Sequence, residues 1–147
     1  MKMQTKHFGE IDIDPNNIII FKEGLPGFEQ IRKMIVINHP DEDTPFQWLQ
    51  SVDEPQITFV IIDPRVFFND YIVNISESDV AALKIEDPSD VLIFSLVVVP
   101  EEVTNMTANL KAPILINIKN NTGKQVVLEE ERYPLKYYIL QQQTGGK

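Results

Sequence analysis

His39-Pro-Asp41-Glu42-Asp43 places one imidazole and three carboxylates within five residues. Hard divalent cations take oxygen ligands of this kind, so this run is the first candidate for chemistry. It lacks the Asp-x-Asp-x-Asp-Gly loop and the distal Glu of a calcium site, and it reads as a solvated acidic loop between two strands. Nucleophilic catalysis has little to draw on. His7 and His39 are the only histidines, cysteine is absent, and no Gly-x-Ser-x-Gly turn occurs. Gly24-Leu-Pro-Gly27 has neither the Gly-x-Gly-x-x-Gly form nor a following Lys-Ser/Thr, so it carries no phosphate-cradling signature. Pro26 fixes φ there and the two glycines permit positive φ, which predicts a tight loop folding Leu25 and Phe28 back onto a sheet. The expectation is no catalytic residue, no metal and no cofactor.

Binding chemistry is better represented. Phe46-Gln-Trp-Leu-Gln50 alternates, putting Phe46, Trp48 and Gln50 on one strand face and Gln47 and Leu49 on the other. Trp48 is either core or, if partly exposed in this acidic stretch, an interface anchor.

The chain has 147 residues, with 13 Lys+Arg against 22 Asp+Glu and a formal charge of −9. That argues against direct nucleic-acid binding, which rests on Lys and Arg neutralising phosphates. The charge is unevenly spread. Residues 1–33 hold five acids and five bases, residues 34–110 hold fourteen acids against only Arg65 and Lys84, and residues 111–147 hold three acids and six bases. The middle of the chain is therefore at −12, either a solvated acidic surface or a docking face for a basic partner. The longest apolar run, residues 91–99, is far short of the about 20 residues of a membrane helix. With no signal-peptide pattern at the start, a cytoplasmic location off the membrane is expected.

These residues must be positioned by strands. Short runs rich in Val, Ile, Phe and Tyr alternate with turn signals, and ten prolines fall between runs or at their edges. Strands are predicted at 3–8, 11–13, 18–21, 33–37, 47–51, 58–62, 71–75, 91–99, 113–118, 125–129 and 137–140. Asn120-Asn-Thr-Gly-Lys124 predicts a hairpin loop with Gly123 at positive φ. Ser76-Glu-Ser-Asp79 has the form of an N-terminal cap, so a helix follows and ends before Pro88. A single-turn helix after Pro26 is also expected. This is a mainly β chain: one antiparallel β-barrel-like domain over residues 1–140 with one or two short helices, and a flexible tail at 141–147.

Phe21-Lys-Glu-Gly-Leu-Pro-Gly-Phe-Glu29 resembles the opening motif of the flagellar assembly factor FliW family. Phe46-Gln-Trp-Leu-Gln-Ser51, then Asp53-Glu-Pro55 and Phe59-Val-Ile-Ile-Asp-Pro64, are similar to its second block, and Asp70-Tyr71 to the pair that follows. Thr107-Ala-Asn-Leu-Lys-Ala-Pro113, leading into Ile114-Leu-Ile-Asn117, resembles the third. The ordered set is specific where any one block is not.

The resemblance implies a compact β-barrel-like protein that is no enzyme. It implies a partner switch: binding to newly made flagellin and, when free, to the RNA-binding regulator CsrA, whose repression of flagellin translation is thereby relieved without competing for its main RNA-contacting residues. A monomer is expected. Candidate partner-binding residues are Thr107, Asn109, Lys111 and Pro113 on an extended path open to strand addition, the aromatics Phe46 and Trp48, and the acids Asp41, Glu42, Asp43 and Glu54. The alternative is a β-barrel holding a small ligand or metal, with hydrolytic chemistry.

Overall fold

The computed structural model describes residues 1–41 and 43–140. Thr5 starts the fold locally: its hydroxyl accepts from Phe8 N–H at 2.9 Å and donates to the Gly9 carbonyl at 2.8 Å. This turn joins β1 (Lys2–Thr5) to β2 (Gly9–Asp12) as an antiparallel hairpin. Asp14 then caps one 3-10 turn, Pro15–Asn17, by accepting from Asn16 N–H. β3 (Ile19–Ile20), β4 (Lys33–Asn38), β5 (Phe46–Ser51) and β6 (Thr58–Ile62) follow. After α1 (Glu77–Leu83) come β7 (Val91–Val98), β8 (Thr107–Ala108), β9 (Ile114–Asn117), β10 (Thr122–Gln125) and β11 (Tyr137–Tyr138).

Seven strands close into a barrel in the order β7-β6-β5-β4-β3-β10-β9, and β9 returns to β7. β7 closes the ring because it is long. Its residues 95–97 pair with β6, and residues 91–94 pair with β9. Every pairing is antiparallel except β3 with β10. β8 pairs beside residues 97–98 of β7, and β11 pairs on β8, extending the sheet off the barrel.

Alternation fills the interior with Phe21, Leu25, Met34, Leu49, Ile61, Phe94 and Ile114. On the outside, β1 and β2 pack Met3, Ile11 and Ile13 against Ile35 and Ile37 of β4. Leu83 of α1 joins a second cluster with Tyr71, Leu110, Leu115 and Tyr133.

Ser76 caps α1, accepting from Asp79 N–H, and Lys84 ends it in the left-handed region. Asn117 Nδ2 donates to the Leu83 carbonyl at 2.9 Å, and Asn120 Nδ2 to the same oxygen at 3.0 Å. These barrel amides satisfy a carbonyl that the end of a helix leaves open. Gly24 and Gly27 do take positive φ, and Leu25 and Phe28 bridge each other as they fold inward.

Four expectations are corrected. Residues 71–75 form no strand: Tyr71 is fixed by its side chain, and the segment joins no ladder. The strand expected at 125–129 is β10, three residues earlier, while Val126 and Leu128 bond singly to Pro113 and Lys111 carbonyls. Asn121, not Gly123, takes the positive φ in the β9–β10 turn. Gly123 lies within β10 because Phe21 sits beneath it; a Cβ there would fall 2.6 Å from the ring. After Pro26 there are turns and no helix, and the single 3-10 turns lie at Pro15–Asn17, Pro64–Val66, Pro88–Asp90 and Val103–Asn105. Residues 141–147, expected as a tail, lie outside the described residues. Among the described residues no helix is long and apolar enough to cross a membrane.

Candidate functional site

The acidic loop and the aromatics meet at one end of the β4–β5 hairpin. β4 ends at Asn38 and β5 starts at Phe46, and the connection carries His39, Asp41 and Asp43. Glu42 lies outside the described residues. Asp41 N–H donates to His39 Nδ1, and Asp43 N–H donates to Asp41 Oδ1, each at 3.0 Å. The imidazole and the carboxylate thus serve as local acceptors that fold the loop, as Asx-type turns do. Among the described residues no three or more His, Asp or Glu gather to hold a metal ion.

Trp48 is half-buried and gripped from two sides. The His39 ring stacks on it with centroids 5.0 Å apart, and Phe8 of the β1–β2 turn meets it edge-on at 4.9 Å. Phe46, on the same strand face, packs toward the cluster of Ile62, Val97, Met106 and Ala108. Trp48 is therefore wet on part of its surface, and its stacking partner His39 accepts from the N–H of exposed Asp41. Glu54 lies at the other end of β5: its N–H donates to Ser51 Oγ and its carboxylate accepts from Gln56. Neither Asp41, Asp43 nor Glu54 takes part in the ion pairs of the described residues, which join Met1–Asp12, Lys2–Glu10, Arg65–Asp63 and Lys124–Asp79. The Asp79 hydrogen bond holds Lys124 protonated above its ordinary range.

The 107–113 segment is placed elsewhere and is largely internal. Thr107, Ala108, Leu110, Ala112 and Pro113 are buried; Asn109 and Lys111 are half-exposed. Asn109 Oδ1 accepts from Ala112 N–H at 2.9 Å, closing a turn. Tyr71 Oη donates to the Leu110 carbonyl, Leu128 N–H to the Lys111 carbonyl and Gln125 Nε2 to the Ala112 carbonyl. Strand addition is closed off at Thr107, because β7 and β11 flank β8 on both sides. What remains reachable of this segment is the Asn109 and Lys111 side chains.

One feature beside the acidic loop escaped the sequence reading. Above the filled interior, the barrel opens at the end where Asn38 and Gln47 stand opposite each other. The cavity there measures about 280 Å³, and Val36, Phe94 and Ile116 form its floor. Leu92, opposite Ile116, and Ile118 stay 41% and 49% exposed at its lip. Gln47 Nε2 donates to Asn38 Oδ1 at 2.6 Å. An open concavity of about 490 Å³ under the acidic loop shares Asn38 and Gln47 with this mouth. The available signal was the inward parity of Met34-Val36-Asn38 and Gln47-Leu49-Ser51, which ends in amides where an apolar interior would continue.

A family model described as FliW protein matches residues 2–139. The flagellar assembly factor FliW of Thermoanaerobacter pseudethanolicus (strain ATCC 33223 / 39E) is 49% identical, with 97% of this chain and 95% of that protein covered. Its counterpart in Ruminiclostridium cellulolyticum (strain ATCC 35319 / DSM 5812 / JCM 6584 / H10) is 41% identical, with 95% of each covered. The crystal structure of a flagellar assembly factor FliW superposes with a TM-score of 0.86 at 34% identity, covering 95% of this chain and 96% of that one.

Proposed function

The chain belongs to the FliW family of flagellar assembly factors, and from that premise we propose that it is a cytoplasmic, monomeric partner switch. It binds flagellin; when free of flagellin it binds the translational regulator CsrA and relieves repression of flagellin translation. Its work is binding, with no catalytic step.

The family match along nearly the whole chain carries this reading. The charge map supports it. A regulator that grips RNA presents basic surface, and Asp41 and Asp43, in no ion pair among the described residues, attract such a surface. Half-buried Trp48, stacked on His39 of the same loop, has the character of an interface anchor. The barrel interior, packed with side chains, supports a protein-binding reading over a barrel built around an internal small ligand.

The test is a pull-down with the purified chain from lysate of flagellated cells, with and without added flagellin. The expected result is recovery of flagellin and CsrA, with CsrA lost as flagellin rises. Recovery of neither protein would overturn the reading.

A further inference from the structure

The geometry points to the barrel mouth as a peptide-binding site: it takes an uncharged segment of a protein partner, one large apolar side chain entering the mouth and the adjoining peptide group bonding to Asn38 and Gln47. This rests on the reading of the chain as a protein-binding factor and adds where and how an apolar segment is held. Among the described residues no charged side chain lines the mouth, in a chain of net charge −9. A concavity of about 280 Å³ open to solvent has room for a whole aliphatic residue, side chain and peptide group together. Leu92 and Ile118 flank the opening with apolar surface left to water, which an apolar guest would cover.

The amide pair makes the choice of guest specific. Once Gln47 Nε2 has donated to Asn38 Oδ1, Asn38 Nδ2 and Gln47 Oε1 take no further side-chain bond among the described residues. They leave an amide nitrogen and an amide oxygen at the rim, a donor and an acceptor that a peptide group can meet. Both groups face solvent in the free chain, and a peptide group, unlike a hydrocarbon, gives back the hydrogen bonds that water makes there. A second copy of the chain is disfavoured on two counts: it brings the same negative charge, and a concave mouth does not fill another concave mouth.

The test titrates acetyl-Ala-Leu-Ala-amide into the full ¹⁵N-labelled chain and follows amide shifts, with acetyl-Ala-Asp-Ala-amide as the charged comparison. Saturable shifts are expected at residues 36–38, 47, 92–94 and 116–118, with affinity at least tenfold lower for the Asp peptide. Leu92→Asp, placed at an exposed lip position, should weaken the Leu peptide at least tenfold, and Leu135→Asp, at an exposed position outside the mouth, should leave it unchanged. If Leu92→Asp spoils the amide spectrum, Gln47→Ala replaces it, with a loss of at least threefold expected. Shifts centred elsewhere, equal binding of the two peptides, no saturation at millimolar peptide, or a self-dimer that Leu92→Asp dissolves would each overturn the proposal. Flagellin and CsrA captured normally by a chain that binds no peptide would overturn the mouth alone; peptide bound by a chain that captures neither protein would overturn the partner switch alone.

Discussion

Tyr71 shows how one residue can hold distant segments together. It is 4% exposed, and its hydroxyl donates to the Leu110 carbonyl at 2.7 Å across 39 residues of sequence. Tyr71→Phe removes the carbonyl's partner inside the structure and should cost about 1–3 kcal/mol in denaturant unfolding. Burial, reinforced by Tyr133 and Glu130, pushes the phenol well above its ordinary 10.0. The folded chain therefore keeps this proton where the unfolded chain releases it. The resulting stability is full below pH about 10 and is lost as pH rises further. Tyr71→Phe should flatten that alkaline slope; parallel losses in both proteins would show that another group sets it. Two glycines give a second residue-scale prediction. A Cβ on Gly24 would lie 2.6 Å from the Glu29 backbone at φ +66, so Gly24→Ala should cost about 2–4 kcal/mol. Gly123→Ala meets only the Phe21 ring, so it should cost about 1–3 kcal/mol. Gly24 was readable from its setting with Pro26 and Gly27. Gly123 was misread, because a Gly in an Asn-rich turn signals positive φ, whereas its actual role is to admit an aromatic ring from β3's C-terminal side.

Elements were legible where local signals agree. Ser76-Glu-Ser-Asp79 names its own helix, and the Ser76 hydroxyl does accept from Asp79 N–H at 3.2 Å. Ser76→Ala should cost about 1 kcal/mol, read as a drop of about 2–4 °C in melting temperature; no change would mean that Asn117 and the Lys124–Asp79 pair hold α1 without its cap. β4 to β7 were legible because alternation and proline punctuation coincide. Residues 71–75 have the same apolar composition without the same fate. Ile72 N–H goes to the Tyr133 hydroxyl, a contact 61 residues away that no local pattern encodes. The open edge expected at Thr107 is absent for a related reason. The small and polar residues of the 107–113 segment suggested an open edge, yet they serve close packing under β11, whose pairing with β8 depends on a connection from far along the chain. At the candidate site, the acidic loop and the Phe46–Trp48 face were readable, and the contact of Phe8 with Trp48 was not, since it needs the β1–β2 turn brought against β5.

At the scale of the whole molecule, closure and charge decide behaviour. Closure by β7 against β9 was invisible as a pattern, although the length of the 91–98 run permits one strand to serve two neighbours. Charge was visible from the start, but its meaning depends on placement. Fourteen acids over residues 34–110 meet few cations in the fold, and the only ion pairs among the described residues that draw on that region are Asp63 with Arg65 and Asp79 with Lys124. Two effects of salt with opposite signs follow. Screening relieves self-repulsion in the compact state, so the melting temperature should rise between about 0.01 and 0.15 M salt as the Debye length shrinks from about 30 to 8 Å. The same screening weakens steering, so the proposed association with CsrA should slow over the same range, mainly in the on-rate. Replacing Asp41, Glu42, Asp43 and Glu54 together with their amides should reduce both dependences, and should slow association most at low salt. Thermal melts and stopped-flow binding across one salt series check the pair. If on-rates at low salt are the same for the wild type and the fourfold variant, neither the acidic loop between β4 and β5 nor Glu54 at the other end of β5 steers the proposed regulator, and their charge then serves the free protein alone.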